Sequence, residues 1–247
     1  MKKLLLLITV VLFISCSSDE ESDNGITLEP NQKTLYFEDT YQIEASSISA
    51  ITYSVENEFH ASVSSTGLVE VGRVGETTII LDNGEETKEE IITVTPKSTL
   101  YPTPNLEFGI SRSQLEDSLG TPDAETDESI LYTTSLGYNM LYLFDDDNNL
   151  DFSSVIIEEQ HTSELVTYLG ERYLLVSDTD EFYMLINGLS MATSTLAIGA
   201  SEMNDDYLLV LYSPIDDSTL NKSSNTYKID SSLINKISKI LKNKLNN

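Results

Sequence analysis

Between Ile26 and Lys97 apolar and polar residues alternate in short runs, and turn-forming residues interrupt the runs at short, regular intervals. Lys33–Phe37, Tyr41–Ala45, Ile51–Val55, Leu68–Val71, Thr77–Leu81 and Glu90–Val94 read as strands. A period of two sends successive side chains to opposite faces, so each run presents one apolar side. The breaks fall at Glu29-Pro30-Asn31, Glu38-Asp39, Asn57-Glu58, Thr66-Gly67, Gly72 and Asp82-Asn83-Gly84. Many short strands punctuated in this way predict a two-layer β-sandwich. Its expected core is Leu35, Phe37, Ile43, Ile51, Tyr53, Val55, Val63, Val69, Ile79, Leu81, Ile92 and Val94. Cys16 is the only cysteine, so no internal disulfide is available and the core has to hold the sandwich together.

Four elements then occur in a fixed order: Tyr53-Ser54-Val55-Glu56-Asn57, Ala61-Ser62-Val63-Ser64, Thr66-Gly67-Leu68-Val69 and Gly75-Glu76-Thr77-Thr78-Ile79. In that order and spacing they resemble the bacterial immunoglobulin-like family, group 2. Family members usually carry Trp where Tyr53 stands, which alters the anchor of the core. The resemblance implies a spacer or an adhesive unit at a cell surface, and a fold by itself does not choose between them.

Ser98–Asn105, with Pro102 and Pro104, reads as an extended linker because each proline disfavours helix in the residue before it. Beyond it Ser111-Arg112-Ser113-Gln114 fits a capping box, and the helix it opens is stopped by Gly120 and Pro122. Strands are expected at Ser129–Thr134, Tyr138–Phe144 and Leu150–Ile157. The pattern then recurs. Ser113 to Gly120 and Ser163 to Gly170 share Ser-x-Leu-x-x-x-Leu-Gly, and strands are again expected at Glu181–Ile186, Met191–Ile198 and Tyr207–Tyr212. The shared motif is either a duplication or a coincidence of common residues; the matching order of elements favours duplication. In both cases helix plus antiparallel strands makes an α+β layer. Phe108-Gly109-Ile110-Ser111 and Leu119-Gly120-Thr121-Pro122 resemble the small outer-membrane-assembly lipoprotein superfamily. Tandem copies of that unit are similar to the β-lactamase-inhibitor-protein architecture. The second copy departs from the pattern, with Arg172 in place of the proline.

The amino end carries an address. Met1-Lys2-Lys3 followed by the apolar run Leu4–Ile14 has the plan of a secretory signal, and the run is too short to span a bilayer as a helix. Leu12-Phe13-Ile14-Ser15-Cys16 resembles a bacterial lipobox, which implies cleavage before Cys16 and acylation of its thiol. The resemblance implies two acyl chains on Cys16 and a further one on the new amino end, and three chains exceed the two signals that suffice for stable anchoring. Ser17-Ser18-Asp19-Glu20-Glu21 resembles the export signal of Bacteroidota surface lipoproteins, with Ser18, Asp19, Glu20 and Glu21 as its core. The other reading of these residues is a solvated acidic tether. The resemblance implies a lipid-anchored outer-membrane protein facing the outside of the cell.

Composition narrows the partners. Lys and Arg number 14 against 41 Asp and Glu, for a net charge of −27. A body this acidic repels phosphate backbones, which excludes nucleic acid as a ligand. At the other end Leu233, Ile234, Ile237, Ile240, Leu241 and Leu245 recur at three- and four-residue spacing and predict a helix over 230–247. Lys236, Lys239, Lys242 and Lys244 occupy its other sides. Such a helix either packs on the acidic body or lies on an anionic membrane; the first is expected.

Signs of chemistry are sparse. His60 and His161 do not have the spacing of a zinc pair, and neither a nucleophile elbow nor a phosphate-binding glycine loop occurs. Asp145, Asp147, Asn149 and Asp151 fall at alternate positions like the first ligands of a calcium loop, but Leu150 stands where such a loop needs glycine and Ile156 where it needs glutamate. A hairpin turn accounts for the same residues. No catalytic residue and no cofactor is expected. The organisation expected is a leader (1–15), an acidic tether (16–25), a sandwich (26–97), a linker (98–105), an α+β domain with a tandem repeat (106–229) and a terminal helix (230–247). The fold class is thus mainly β plus α+β. The function expected is that of a non-catalytic interaction or accessory lipoprotein. It would be held to the membrane by its lipid and would contact a protein or a glycan. A glycan-binding or glycan-processing lipoprotein is the alternative.

Overall fold

The computed structural model describes residues 24–29, 34–179 and 182–215. The leader, Cys16, the export residues Ser18 to Glu21 and the helix expected over 230–247 lie outside these residues. The chain is a mainly β protein with few helices.

The first unit contains β1 (Thr27–Glu29), β2 (Thr40–Gln42), β3 (Glu44–Ser46), β4 (Thr52–Val55), β5 (Ala61–Val63), β6 (Leu68–Val71), β7 (Gly75–Asp82) and β8 (Thr87–Val94). They form two three-stranded sheets, β2-β6-β5 and β4-β7-β8, and a ribbon of β1 with β3. Alternation decides which side chains go inside: in β7 Thr77, Ile79 and Leu81 are buried, and in β8 Glu90, Ile92 and Val94. Val69 and Val71 of β6, Ala61 of β5 and Tyr41 of β2 meet them from the facing sheet. Each large apolar side chain so buried contributes about 1.5–3 kcal/mol. Gly67 turns the chain into β6 at φ 79°, and the Tyr53 ring lies against it so closely that a Cβ there would sit 3.0 Å from the ring. The dihedral favours glycine, and a side chain there would also have to push the Tyr53 ring aside.

Two strand expectations need correction here. Tyr41–Ala45 is not one strand: it breaks at Ile43, where the amide donates to Gly67 O (2.9 Å), so β2 pairs with β6 and β3 with β1. Residues 34–37, the described part of the expected strand Lys33–Phe37, are also not a strand. Leu35 makes a single parallel bridge to Val94. The following residues curl into a turn in which the Tyr36 amide donates to the Asp39 carboxylate and the Asp39 amide to Tyr36 O. Phe37 consequently leaves the core and lies under the Arg73 guanidinium, 4.0 Å from its ring centre.

The second unit opens with α1 (Arg112–Leu119), followed by β9 (Ala124–Thr126), β10 (Ser129–Thr133), β11 (Tyr138–Phe144) and β12 (Leu150–Glu158). A second helix, α2 (Thr162–Gly170), precedes β13 (Leu174–Asp178), β14 (Tyr183–Ile186), β15 (Leu196–Asn204) and β16 (Tyr207–Pro214). The eight strands form one antiparallel sheet in the order β13-β14-β15-β16-β12-β11-β10-β9. Each helix therefore leads a four-strand meander, and the two meanders join where β12 pairs with β16.

Each meander has one strand more than expected, and the extra strands hid for local reasons. β9 is three residues with one apolar side chain, and β13 carries a bulge between Leu175 and Ser177 that spoils its alternation. The strand expected from Met191 begins instead at Leu196. Met191–Thr193 forms a short 3-10 turn in which Ser190 and Thr193 cap one another. Ser111 is the N-cap of α1 with Gln114 reciprocating, and Gly120 ends the helix at φ 87°. In the second motif Gly170 remains helical and Glu171 is the C-cap. Both helices pack on the same face of the sheet, Leu115 against Ile130, Tyr142, Phe144 and Leu150, and Leu165, Tyr168 and Leu169 against Val155, Ile157 and Val210.

Candidate functional site

A cluster of charged and polar groups lies where the two units meet, at the C-terminal end of α2. A helix ends with carbonyls that lack intrahelical donors, so cations and amides gather there. Arg172 donates to Tyr168 O (3.1 Å), to Ser98 O (2.9 Å) and to the Glu171 carboxylate (2.6 Å), and its guanidinium stacks 3.8 Å above the Tyr168 ring. Arg73 reaches across from the sandwich and donates to Gly170 O. The Val74 amide donates to Glu171 O at 2.7 Å.

Glu171 is the centre of this joint. Its side chain is only 3 % exposed, yet its carboxylate accepts from the amides of Lys97 (2.7 Å) and Ser98 (3.0 Å) as well as from Arg172. Burying a carboxylate is costly unless it is paired and hydrogen-bonded, and here both conditions hold. The loop that delivers Arg73 and Val74 is held by His60, whose Nδ1 lies 3.0 Å from Arg73 O. Gly75, at φ 145°, lets the loop pass this close: a Cβ there would sit 2.3 Å from the imidazole.

Tyr101 fixes the other side of the joint. Although it lies in the stretch read as a linker, its ring is buried in the second unit, 4.1 Å from the Tyr168 ring centre. Its hydroxyl and that of Tyr212 share a hydrogen bond of 2.9 Å. Burial pushes both hydroxyls well above the ordinary tyrosine range, and burial likewise takes Tyr173 up to about 12. The connection over residues 98–105, without helix or strand, is thus packed against the second unit at Tyr101. The chemistry of the cluster is spent on holding two bodies in one orientation, with every named donor and acceptor engaged.

The residues singled out in the sequence lie elsewhere. Asp145, Asp147, Asn149 and Asp151 surround the β11–β12 turn. The Asp145 carboxylate accepts from the amides of Asp147 (3.0 Å) and Asn149 (2.8 Å), and Asn148 takes a positive φ of 64°. Asp145, Asp147 and Asn149 therefore belong to the turn and Asp151 to strand β12, and among the described residues no three His, Cys, Asp or Glu side chains gather as a metal site. His161 lies 3.8 Å from the Glu164 carboxylate at the start of α2. Glu171, Arg172, Arg73 and Tyr101 were missed. One signal pointed to them: Arg172 follows Leu169-Gly170-Glu171 at the position where Pro122 follows Leu119-Gly120-Thr121. Among the described residues no helix is long and apolar enough to cross a membrane.

Comparison with known proteins identifies the first unit. Residues 24–101 match the family model "Bacterial Ig-like domain (group 2)". No curated protein matches the chain. Among solved structures it is similar to an intimin mutant of EHEC O157:H7, at 12 % identity and a TM-score of 0.24, covering 76 % of this chain and 96 % of that one. Domains 5–6 of the S-layer protein SbsC match at 13 % identity and a TM-score of 0.24, covering 78 % of this chain and 85 % of that one. A longer SbsC structure, domains 4–9, matches at 13 % identity and a TM-score of 0.25 over 76 % of this chain and 26 % of that one. Scores this low carry no argument about the second unit or about function. Residues 24–101 of this chain form a bacterial Ig-like domain of group 2.

Proposed function

We propose that the chain is a non-catalytic lipoprotein of the outer membrane, anchored through Cys16 and carried to the cell surface by Ser18, Asp19, Glu20 and Glu21. The Ig-like unit is the spacer. The second unit, an α+β domain of two tandem helix-plus-strand repeats, is the part that meets a partner. Its paired meanders, each led by a helix, support the duplication.

The observation that carries the interaction reading is the edge of the eight-stranded sheet. Strand β13 pairs with β14 alone among the described residues, and Leu175 and Val176 on it are 49 % and 42 % exposed. Tyr183 and Leu189 extend the apolar surface nearby in the chain. Natural sheets usually blunt such an edge with charge or proline, so an apolar one marks a place where a partner's backbone or side chains are received. The joint at Glu171 holds that edge at a fixed angle to the spacer. The glycan reading has less support, because seven tyrosines (Tyr41, Tyr101, Tyr138, Tyr142, Tyr168, Tyr173 and Tyr212) are buried and unable to stack on a sugar.

The test uses the acylated chain and its Leu175→Lys/Val176→Lys variant in pull-downs from envelope extracts, beside a glycan panel. A protein partner retained by the wild type and lost by the variant is the expected result. Capture of a glycan, or turnover of one that stops at single Asp or Glu changes, would replace this reading. Palmitate labelling abolished by Cys16→Ala and protease accessibility on intact cells check the anchor and the address.

A further inference from the structure

The eight-stranded sheet has two apolar faces but described helices on only one. The face opposite α1 and α2 carries Leu131, Leu141, Leu143, Ile156, Leu209 and Leu211, none more than 3 % exposed. The partly buried residues packed around them, Ala124, Phe152, Met203 and Tyr207, belong to the sheet's own strands or their connections. Side chains stand out from a sheet, so a face buried this completely needs a second layer to exclude water. No described helix lies on that side. Across its middle the register sets Leu141, Ser154, Leu211 and Gly199 side by side, with the small Ser154 between the two leucines.

We propose that residues 230–247 supply the missing layer, as an amphipathic helix seated on this face through Leu233, Ile234, Ile237, Ile240, Leu241 and Leu245. Three observations select this occupant. The chain leaves the sheet at the end of β16, the strand that gives Leu209 and Leu211 to the face in question. Residues 215–229 reach up to about 50 Å when extended, enough to turn back over it. A helix over 230–247 would be about 27 Å long, close to the roughly 30 Å of strand β12 beneath it. Finally, residues 216–247 hold six lysines against three aspartates in a chain whose net charge is −27, so attraction to the acidic body adds to apolar burial. The helix completes a three-layer unit, with α1 and α2 on one side of the sheet and the terminal helix on the other.

Hydrogen exchange on the lipid-free ectodomain, residues 17–247 at low concentration, tests this directly. Amides of 233–245 are expected to exchange at least about a hundredfold more slowly than a free coil. A second measurement maps the face. This ectodomain lacks Cys16, so Leu211→Cys combined in turn with Leu233→Cys, Ile237→Cys or Leu241→Cys leaves one pair of thiols to oxidise. At least one pair is expected to close within the monomer, while Leu211→Cys with Asn235→Cys or Lys239→Cys stays open. Coil-rate exchange in the lipid-free monomer would overturn the proposal. So would protection that appears only with phosphatidylglycerol vesicles, only as the protein concentration rises toward dimerisation, or cross-linking that ignores the apolar stripe.

Discussion

Glu171 concentrates the cost and the benefit of joining two bodies in one side chain. Its carboxylate serves two amides of the connection and one guanidinium, all from a buried position. Removing it leaves Arg172 with an unmatched charge at a site that water scarcely reaches. Glu171→Ala is therefore expected to lower stability by about 3 kcal/mol, read from denaturant unfolding. Glu171→Gln keeps an acceptor for the amides and should lose about half as much. If the joint holds the units at one angle, small-angle scattering should show a narrower distance distribution for the wild type than for Glu171→Ala. Equal distributions would mean that the other contacts suffice. His60 illustrates a different point at this scale. Nothing in the sequence assigned it a chemical role, and its ring supports the Arg73 loop.

Among the elements, the two helices show how similar motifs end differently. In α1 the Ser111–Gln114 capping box satisfies orphan amides at the start, and Gly120 closes the other end with a positive φ. Ser111→Ala should cost about 1 kcal/mol, seen as a lower thermal midpoint without loss of β-structure in circular dichroism. In α2 the helix runs through Gly170, and its last carbonyls are taken by Arg73 and Arg172. Capping within the helix is local and can be read from a few adjacent residues. Capping by a residue 97 positions away is not. The same division separates the strands. β11 shows its full range in the sequence because Tyr138–Phe144 is bounded by turn residues on both sides. β9 and β13 are too short or too irregular to carry a period, and neighbours in the sheet define them.

For the whole molecule, the buried tyrosines set a limit at high pH. Tyr101, Tyr173 and Tyr212 are held above the ordinary value of about 10, chiefly because burial disfavours the phenolate. A raised folded-state value means that their contribution to stability is full below pH 10. It is lost as pH climbs from there through about 12, because the unfolded chain ionises first. Tyrosinate absorbance should therefore rise in two stages, exposed rings first. The second stage should coincide with loss of the near-ultraviolet dichroism. Tyr101→Phe removes one hydroxyl of the Tyr101–Tyr212 pair and should weaken that coincidence.

The amino-acid sequence alone determined the sandwich: its period, its turn residues and most of its inward side chains, with seven of the twelve expected core residues fully buried and four more packed against them. It also determined the cap and the stop of α1. These features are local, since alternation and capping act among residues within a turn or a strand of each other. Only the tertiary structure decided that β12 meets β16 at the centre of one sheet, that Phe37 leaves the core for Arg73, and that Glu171 clasps the connection 73 and 74 residues away. Each depends on which distant groups can satisfy a buried charge, a helix end or a strand edge together, and no short window of sequence contains both partners.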